Sequence, residues 1–344
     1  MSEIGIKELA HKLGISTASV SRALSNPERV SKKMRERVQH AALEVGYRPN
    51  RLGASLRTSK TKNIIAIIPN ITGAFNSGVI KSIGHTAAEF GYSVLFGSTE
   101  GSREKELSYG DMARSKQADG IICFSSALPF NEQSLESEYF SLPPMVNACE
   151  QMSSPHAFNN NIPFITIDDA AASKELVTYL ISLGHTHIAL ISGDIAQPSA
   201  QRRLEGYKQA IAAANLPFDK DLVWEGDYTF DAGRSLTKKI LANNPKATAI
   251  YCMCDETALG SLNTLQGNGF DVPKDFSVVG FDDIKYAQYF SPSLTTITQP
   301  VEAIGRRCVE VLMQIIKDEK ITQKIEVIPH HLTIRESSGA APKR

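Results

Sequence analysis

Between positions 64 and 281 short apolar runs alternate with segments of helical period. The runs fall at 64–68, 93–96, 120–124, 144–148, 164–167, 188–191, 249–253 and 277–281. Runs this short, with no polar face, fit strands covered on both sides better than buried helices. Strand and helix in strict alternation bury such strands as parallel sheets layered by helices. Two open sheets suit the length better than one. Ligands of open parallel sheets bind beyond the carboxyl ends of the strands. Those ends are the segment 69–75, Ser125, Asp168, Ser192-Gly193, Asp255 and Asp282.

The first 62 residues are of another kind. The whole chain carries 37 Lys+Arg against 37 Asp+Glu, yet residues 1–62 hold 13 bases and five acids, a net of +8 balanced by −8 in the remainder. A basic surface alone can be merely solvated, but a basic head on an acidic body suits a polyanion, because each neutralised phosphate releases counterions. Ile6, Leu9, Ala10 and Leu13 recur at helical spacing and Gly14 stops them. Ser16 then caps a second helix with Val20 and Leu24 inward and Asn26-Pro27 closing it, and a third runs from Ser31 through Met34, Val38, Ala41, Ala42 and Val45 to Gly46. Two helices joined by so short a turn form a helix-turn-helix, whose second helix enters the major groove. That geometry turns Thr17, Ala18 and Arg22 toward base edges, while Lys32 and Lys33 meet phosphates.

The residues 15–24 (Ile-Ser-Thr-Ala-Ser-Val-Ser-Arg-Ala-Leu), Val30-Ser31 and Val45-Gly46-Tyr47-Arg48-Pro49-Asn50 resemble the DNA-binding head of the lactose/galactose repressor family. The resemblance continues through Ala54-Ser55-Leu56-Arg57, Gly184-His185, Arg203-Leu204-Glu205-Gly206-Tyr207, the stretch 255–260, Val279-Gly280-Phe281-Asp282-Asp283 and the stretch 294–300. It implies an all-α helix-turn-helix head on an α/β body of two lobes like periplasmic binding proteins, joined by three crossovers. The expected divisions are 1–46 for the head, 47–62 for a hinge helix and 63–344 for the effector-binding and dimerisation body. Its lobes are expected at about 63–168 plus 296–328 and at 169–295 plus 329–344. In such a family Ser19, Ser31 and Asn50 join the DNA-facing set, and Leu56 is the hinge leucine wedged into the minor groove. Arg203 and Asp282 match the effector-contacting Arg and Asp, Asp168 a further polar contact, and Tyr228 and Phe75 the rings of the pocket, with Phe75 in the loop after the first strand. Ser125 and Asp255 complete the strand ends. Gly5 departs from the family's Thr or Ser cap, and Cys254 from an Asn or Ser before the Asp.

These features imply a ligand-responsive repressor acting as a homodimer on double-stranded, near-palindromic operator DNA, with the effector between the lobes. The stretches 127–130, 142–146, 226–233 and 281–289 resemble the cytidine-responsive subgroup, so the effector is expected to be a nucleoside rather than a sugar. A sugar phosphate would need a second cation at a strand end, and Arg202, beside Arg203 on a helix, should point elsewhere. The rival readings are a small-molecule binding protein or an enzyme without DNA regulation. A transport protein would lack the basic head, and no Walker loop, Gly-x-Gly-x-x-Gly or Gly-x-Ser-x-Gly occurs; His185 precedes a strand rather than ending one. No cofactor or metal is expected, since Cys252-Met253-Cys254 has no second ligand pair. Five scattered cysteines disfavour disulfides. With no apolar run long enough for a bilayer and no signal-peptide pattern at the start, a cytoplasmic protein without membrane contact is expected. No leucine heptads follow Leu332, which favours a dimer over a tetramer.

Overall fold

The structure is a computed structural model that describes residues 4–25, 27–48, 60–131, 135–136, 141–159 and 161–343. The chain divides into two compact units, 1–61 and 62–344. Asn26 and residues 49–59, which take in Pro49, Asn50, Leu56 and most of the expected hinge helix, lie outside the described residues.

In the first unit α1 (Ile6–Leu13), α2 (Thr17–Ser25) and α3 (Lys32–Glu44) enclose Leu9, Leu13, Val20, Ala23, Val38, Ala41 and Ala42. Gly14 ends α1 at φ 63°, a left-handed conformation that spares a glycine the steric cost of a Cβ. Ser16 Oγ accepts from Ser19 N at 3.1 Å and opens α2; Ser31 Oγ does the same for α3 through Met34 N. Gly5 has no side chain with which to cap α1, and Glu8 closes that end instead by accepting from Gly5 N. Arg37 Nη2 donates to Leu13 O at 2.7 Å and ties the third helix to the end of the first.

The second unit contains two six-stranded sheets. The first has β1 (Asn63–Ile68), β2 (Ser93–Ser98), β3 (Gly120–Cys123), β4 (Met145–Ala148), β5 (Phe164–Thr166) and β11 (Ile325–Val327), in the order β11-β5-β4-β3-β1-β2. The second has β6 (Ile188–Ser192), β7 (Val223–Glu225), β8 (Ala249–Cys252), β9 (Ser277–Asp282), β10 (Thr295–Thr298) and β12 (His331–Thr333), in the order β12-β10-β9-β8-β6-β7. Every neighbouring pair is parallel except β10 with β12. The helices are α4 (Ala74–Glu89), α5 (Arg103–Arg114), α6 (Pro155–Asn159), α7 (Asp169–Ser182), α8 (Pro198–Ala213), α9 (Phe230–Asn243), α10 (Asp255–Gly267) and α11 (Val301–Ile316).

The chain passes between the sheets after β5, after β10 and after β11. β10 lies in the second sheet, so the return to the first lobe begins with α11 and not at position 296. β7, β11 and β12, which no long apolar run announces, are three-residue strands, and each forms a sheet edge. His185 is fully buried between the lobe's strands, with Nδ1 at 2.8 Å from Thr248 Oγ1 and Nε2 at 3.0 Å from Ser277 Oγ. It is a packing residue.

Candidate nucleic-acid interface and effector cleft

On α2 the apolar side faces the three-helix core, which leaves Thr17, Ala18 and Arg22 exposed together near its start. Thr17 and Ala18 are successive, and Arg22 follows one helical turn later on the same face. Ser19 differs: it is half-buried, and its hydroxyl lies 2.9 Å from that of Ser16, within the turn. Ser31 is committed to capping α3. Lys32 and Lys33 are exposed, and Lys32 Nζ stands 3.9 Å from Glu36, a loose surface pair.

In the body the carboxyl ends of β1, β3, β4, β6, β8 and β9 open toward a cleft between the two sheets. Its polar centre is built on α8. Arg203 is 8% exposed; its Nε donates to Asp169 Oδ1 at 2.8 Å, its Nη1 to Met253 O at 2.5 Å, and its guanidinium lies 3.7 Å from the Phe281 ring centroid. Burial opposes its charge, but Asp169 and Asp282 outweigh burial and hold its pKa above the usual value. Asp282 ends β9 at φ 122°, and its Oδ1 accepts from Gln299 Nε2 at 2.7 Å. Burial pushes this carboxyl up to about 7 against the pull of Arg203. Arg203 and Asp282 make no direct ion pair, although each lies in the other's field.

Tyr228, at φ 65°, lays its ring over Gly193 so closely that a Cβ there would meet the ring at 1.9 Å. Gly193 is thus required by the aromatic wall. The phenol's pKa is raised by burial.

Two expected contacts are placed differently. Asp168 is exposed and caps α7 by accepting from Ala171 N at 2.9 Å, whereas its neighbour Asp169, 2% exposed, holds the arginine. Asp255 is fully buried, with Oδ1 accepting from Thr296 Oγ1 at 2.6 Å and Oδ2 from Ile284 N at 2.8 Å. Both its oxygens tie the wall together, and burial pushes its pKa well up. Phe75 sits in the first turn of α4 and not in a loop, half-buried against the core. Ser125, half-buried after β3, accepts from Ala127 N through Oγ at 3.2 Å. Cys254 does make the bond its position requires: Sγ accepts from Thr257 N at 3.4 Å and caps α10.

Most of the residues that meet across the cleft stand outside any motif in the sequence, Arg202 and Glu256 excepted. Glu150 and Gln151, after β4, face Ser199 and Arg202 on α8. Arg202 does point away from Arg203's carboxylates, donating to Gln151 Oε1 at 2.7 Å. Glu256 of α10 reaches Ala74 of α4, and Ser126 Oγ lies 3.4 Å from Gln197 Oε1. No helix among the described residues is long and apolar enough to cross a membrane.

Residues 5–50 match the family model "Bacterial regulatory proteins, lacI family", and residues 177–338 match "Periplasmic binding protein-like domain". The HTH-type transcriptional repressor CytR of Escherichia coli (strain K12) is 37% identical over 98% of this chain and 97% of its own length. Catabolite control protein A of Priestia megaterium is 32% identical over 97% of this chain and 99% of its own. Among solved structures, the lac repressor dimer bound to operator and the anti-inducer ONPF superposes with a TM-score of 0.84 at 25% identity, covering 98% of this chain and all of that one. The transcriptional regulator CelR in complex with cellobiose gives 0.71 at 26%, covering 97% and 99%.

Proposed function

The chain belongs to the lacI family of bacterial regulatory proteins, and we propose on that premise how it reads DNA and what it senses. It is a ligand-responsive transcriptional repressor that binds operator DNA through its helix-turn-helix head as a dimer. Thr17, Ala18 and Arg22 read base edges, Arg22 as a bidentate donor to guanine. Lys32, with Ser31 at the same helix start, contacts phosphate. Ser19 orders the turn. Asn50 and Leu56 belong to the hinge, where Leu56 wedges the minor groove. Divisions at 1–46, 47–62 and 63–344 suit these roles. A dimer is supported by the edge strand β2, which exposes Leu95 and Phe96. The protein works in the cytoplasm and is not an enzyme.

The effector is a nucleoside. The observation that carries this is the Arg203–Asp282 couple, a rigid donor fork and an acceptor that do not pair directly and are backed by Phe281. Vicinal ribose hydroxyls satisfy both at once in a site shielded from water. Tyr228 and Phe75 supply rings for a flat base. Asp168, Ser125 and Asp255 shape the site rather than contact the ligand. Calorimetry with cytidine, adenosine, ribose and ribose 5-phosphate tests the assignment: binding of the sugar or its phosphate with no nucleoside binding overturns it.

A further inference from the structure

Four helices of the body begin with a side-chain cap from the residue just before them: α5 from Ser102, α7 from Asp168, α9 from Thr229 and α10 from Cys254. α4 and α8 do not. The first starts after Gly73, and the second after Gln197 with Pro198 at its first position; neither preceding residue gives a side-chain cap. Both helices are 16 residues long and start at the cleft, one in each lobe. Their first N–H groups are satisfied from the opposite lobe. Glu256 Oε1, on the second lobe, accepts from Ala74 N at 2.9 Å. Glu150, on the first, accepts from Ser199 N at 2.9 Å and from Ser199 Oγ at 2.6 Å.

A carboxylate at a helix N-terminus answers unsatisfied N–H groups and the positive end of the helix dipole together. Here each lobe holds the carboxylate that the other lacks. We propose that Glu150 and Glu256 are the positioning residues of the effector cleft, a reciprocal clasp in which each lobe caps the other's helix and so sets the closed spacing of Arg203 and Asp282 against the first lobe. The two caps, three hydrogen bonds in all, make and break together, because opening the lobes removes both. Opening exposes two uncapped helix starts, which biases the ligand-free protein toward closure and leaves an entering effector less rearrangement to drive. The clasp holds whatever the identity of the effector.

Amide hydrogen exchange on the full-length, ligand-free protein separates a clasp from two independent caps. Fragments that span Ala74 and Ser199, each beginning well upstream of the amide it reports, are followed in the wild type, in Glu256→Ala and in Glu150→Ala. Loss of a charge-assisted bond accelerates exchange at its own amide by about tenfold. A clasp also accelerates the amide on the other helix, so that Glu256→Ala deprotects Ser199 and Glu150→Ala deprotects Ala74, while β8 and β9 stay protected. Glu256→Gln keeps an acceptor oxygen and restores protection at both ends, and it carries the test if the alanine variant does not fold. Acceleration confined to the helix facing the lost carboxylate, or none at either, overturns the proposal.

Discussion

Asp282→Asn isolates the electrostatic cost of the cleft. The carboxyl rises from 3.8 to about 7 in the folded protein, chiefly by burial. With a folded pKa above the unfolded one, the native state keeps a proton that the unfolded chain has released. The stability contributed by this group is therefore complete below the unfolded value and is lost as pH rises through the folded one. Between pH 5 and pH 8 some two units of that window are crossed, and at 1.36 kcal/mol per unit the loss is about 3 kcal/mol. Asparagine cannot ionise, yet it keeps an oxygen for Gln299 Nε2. Urea unfolding of the ligand-free protein at the two pH values should show the wild type losing about 3 kcal/mol more than the variant. The buried His185 is common to both proteins and cancels in the difference, while Asp255, held up in part by the charge of Asp282, shifts down in the variant and adds to the difference in the same direction. Equal losses in wild type and variant would refute the burial argument for Asp282.

At the DNA interface, Arg22→Ala should cost about 1 to 3 kcal/mol on operator and little on random DNA in gel shifts; equal loss on both removes it from base readout. Replacing Lys32 and Lys33 with Ala should flatten the salt dependence of binding without changing sequence preference, and an altered preference counts against phosphate contact. Leu56→Ala should reduce operator affinity and bending with effector binding unchanged, whereas undiminished bending excludes the wedge. Arg203→Ala would leave Asp169 buried without its partner at a cost of about 3 to 5 kcal/mol, so Arg203→Lys is the cleaner probe. It should abolish the effector's release or recruitment of DNA in a gel-shift titration while DNA binding survives, and a response at wild-type ligand concentrations would place the pocket elsewhere.

The layered body was legible because its central strands are continuous apolar runs, and the head because helix, Gly14, capping Ser16 and helix follow at fixed spacing. Doublets were harder. In Thr-Ile-Asp-Asp, the residue that begins α7 decides which carboxylate caps and which turns inward, and a one-residue difference in the helix start exchanged the roles of Asp168 and Asp169. A similar ambiguity misread Asp255, whose neighbour Cys254 took the cap while the carboxylate went to Thr296. Phe75 reads as a loop residue in the sequence because no side-chain cap precedes α4. That missing cap was the visible signal of a partner elsewhere, but the identity of the partner depends on how two lobes meet, and Glu150 and Glu256 lie far from their amides along the chain.

The triple passage of the chain between sheets also governs how the molecule can be made. The first lobe lacks α11, which brings Ile304, Cys308, Val309 and Leu312 into the core, until β6 to β10 have been synthesised. The second lobe lacks β12 and the Ala341 N to Leu183 O bond of 2.9 Å until residues 331–341 leave the ribosome. A nascent chain therefore carries a first sheet without the helix that covers its core and a second sheet without its edge strand until α11 and β12 have been made. The head has no such dependence and can fold first. A product cut short after β10 keeps a folded head on a body whose first sheet lacks α11 and whose second lacks an edge strand, so premature termination yields a chain with an exposed apolar sheet face rather than a smaller working regulator.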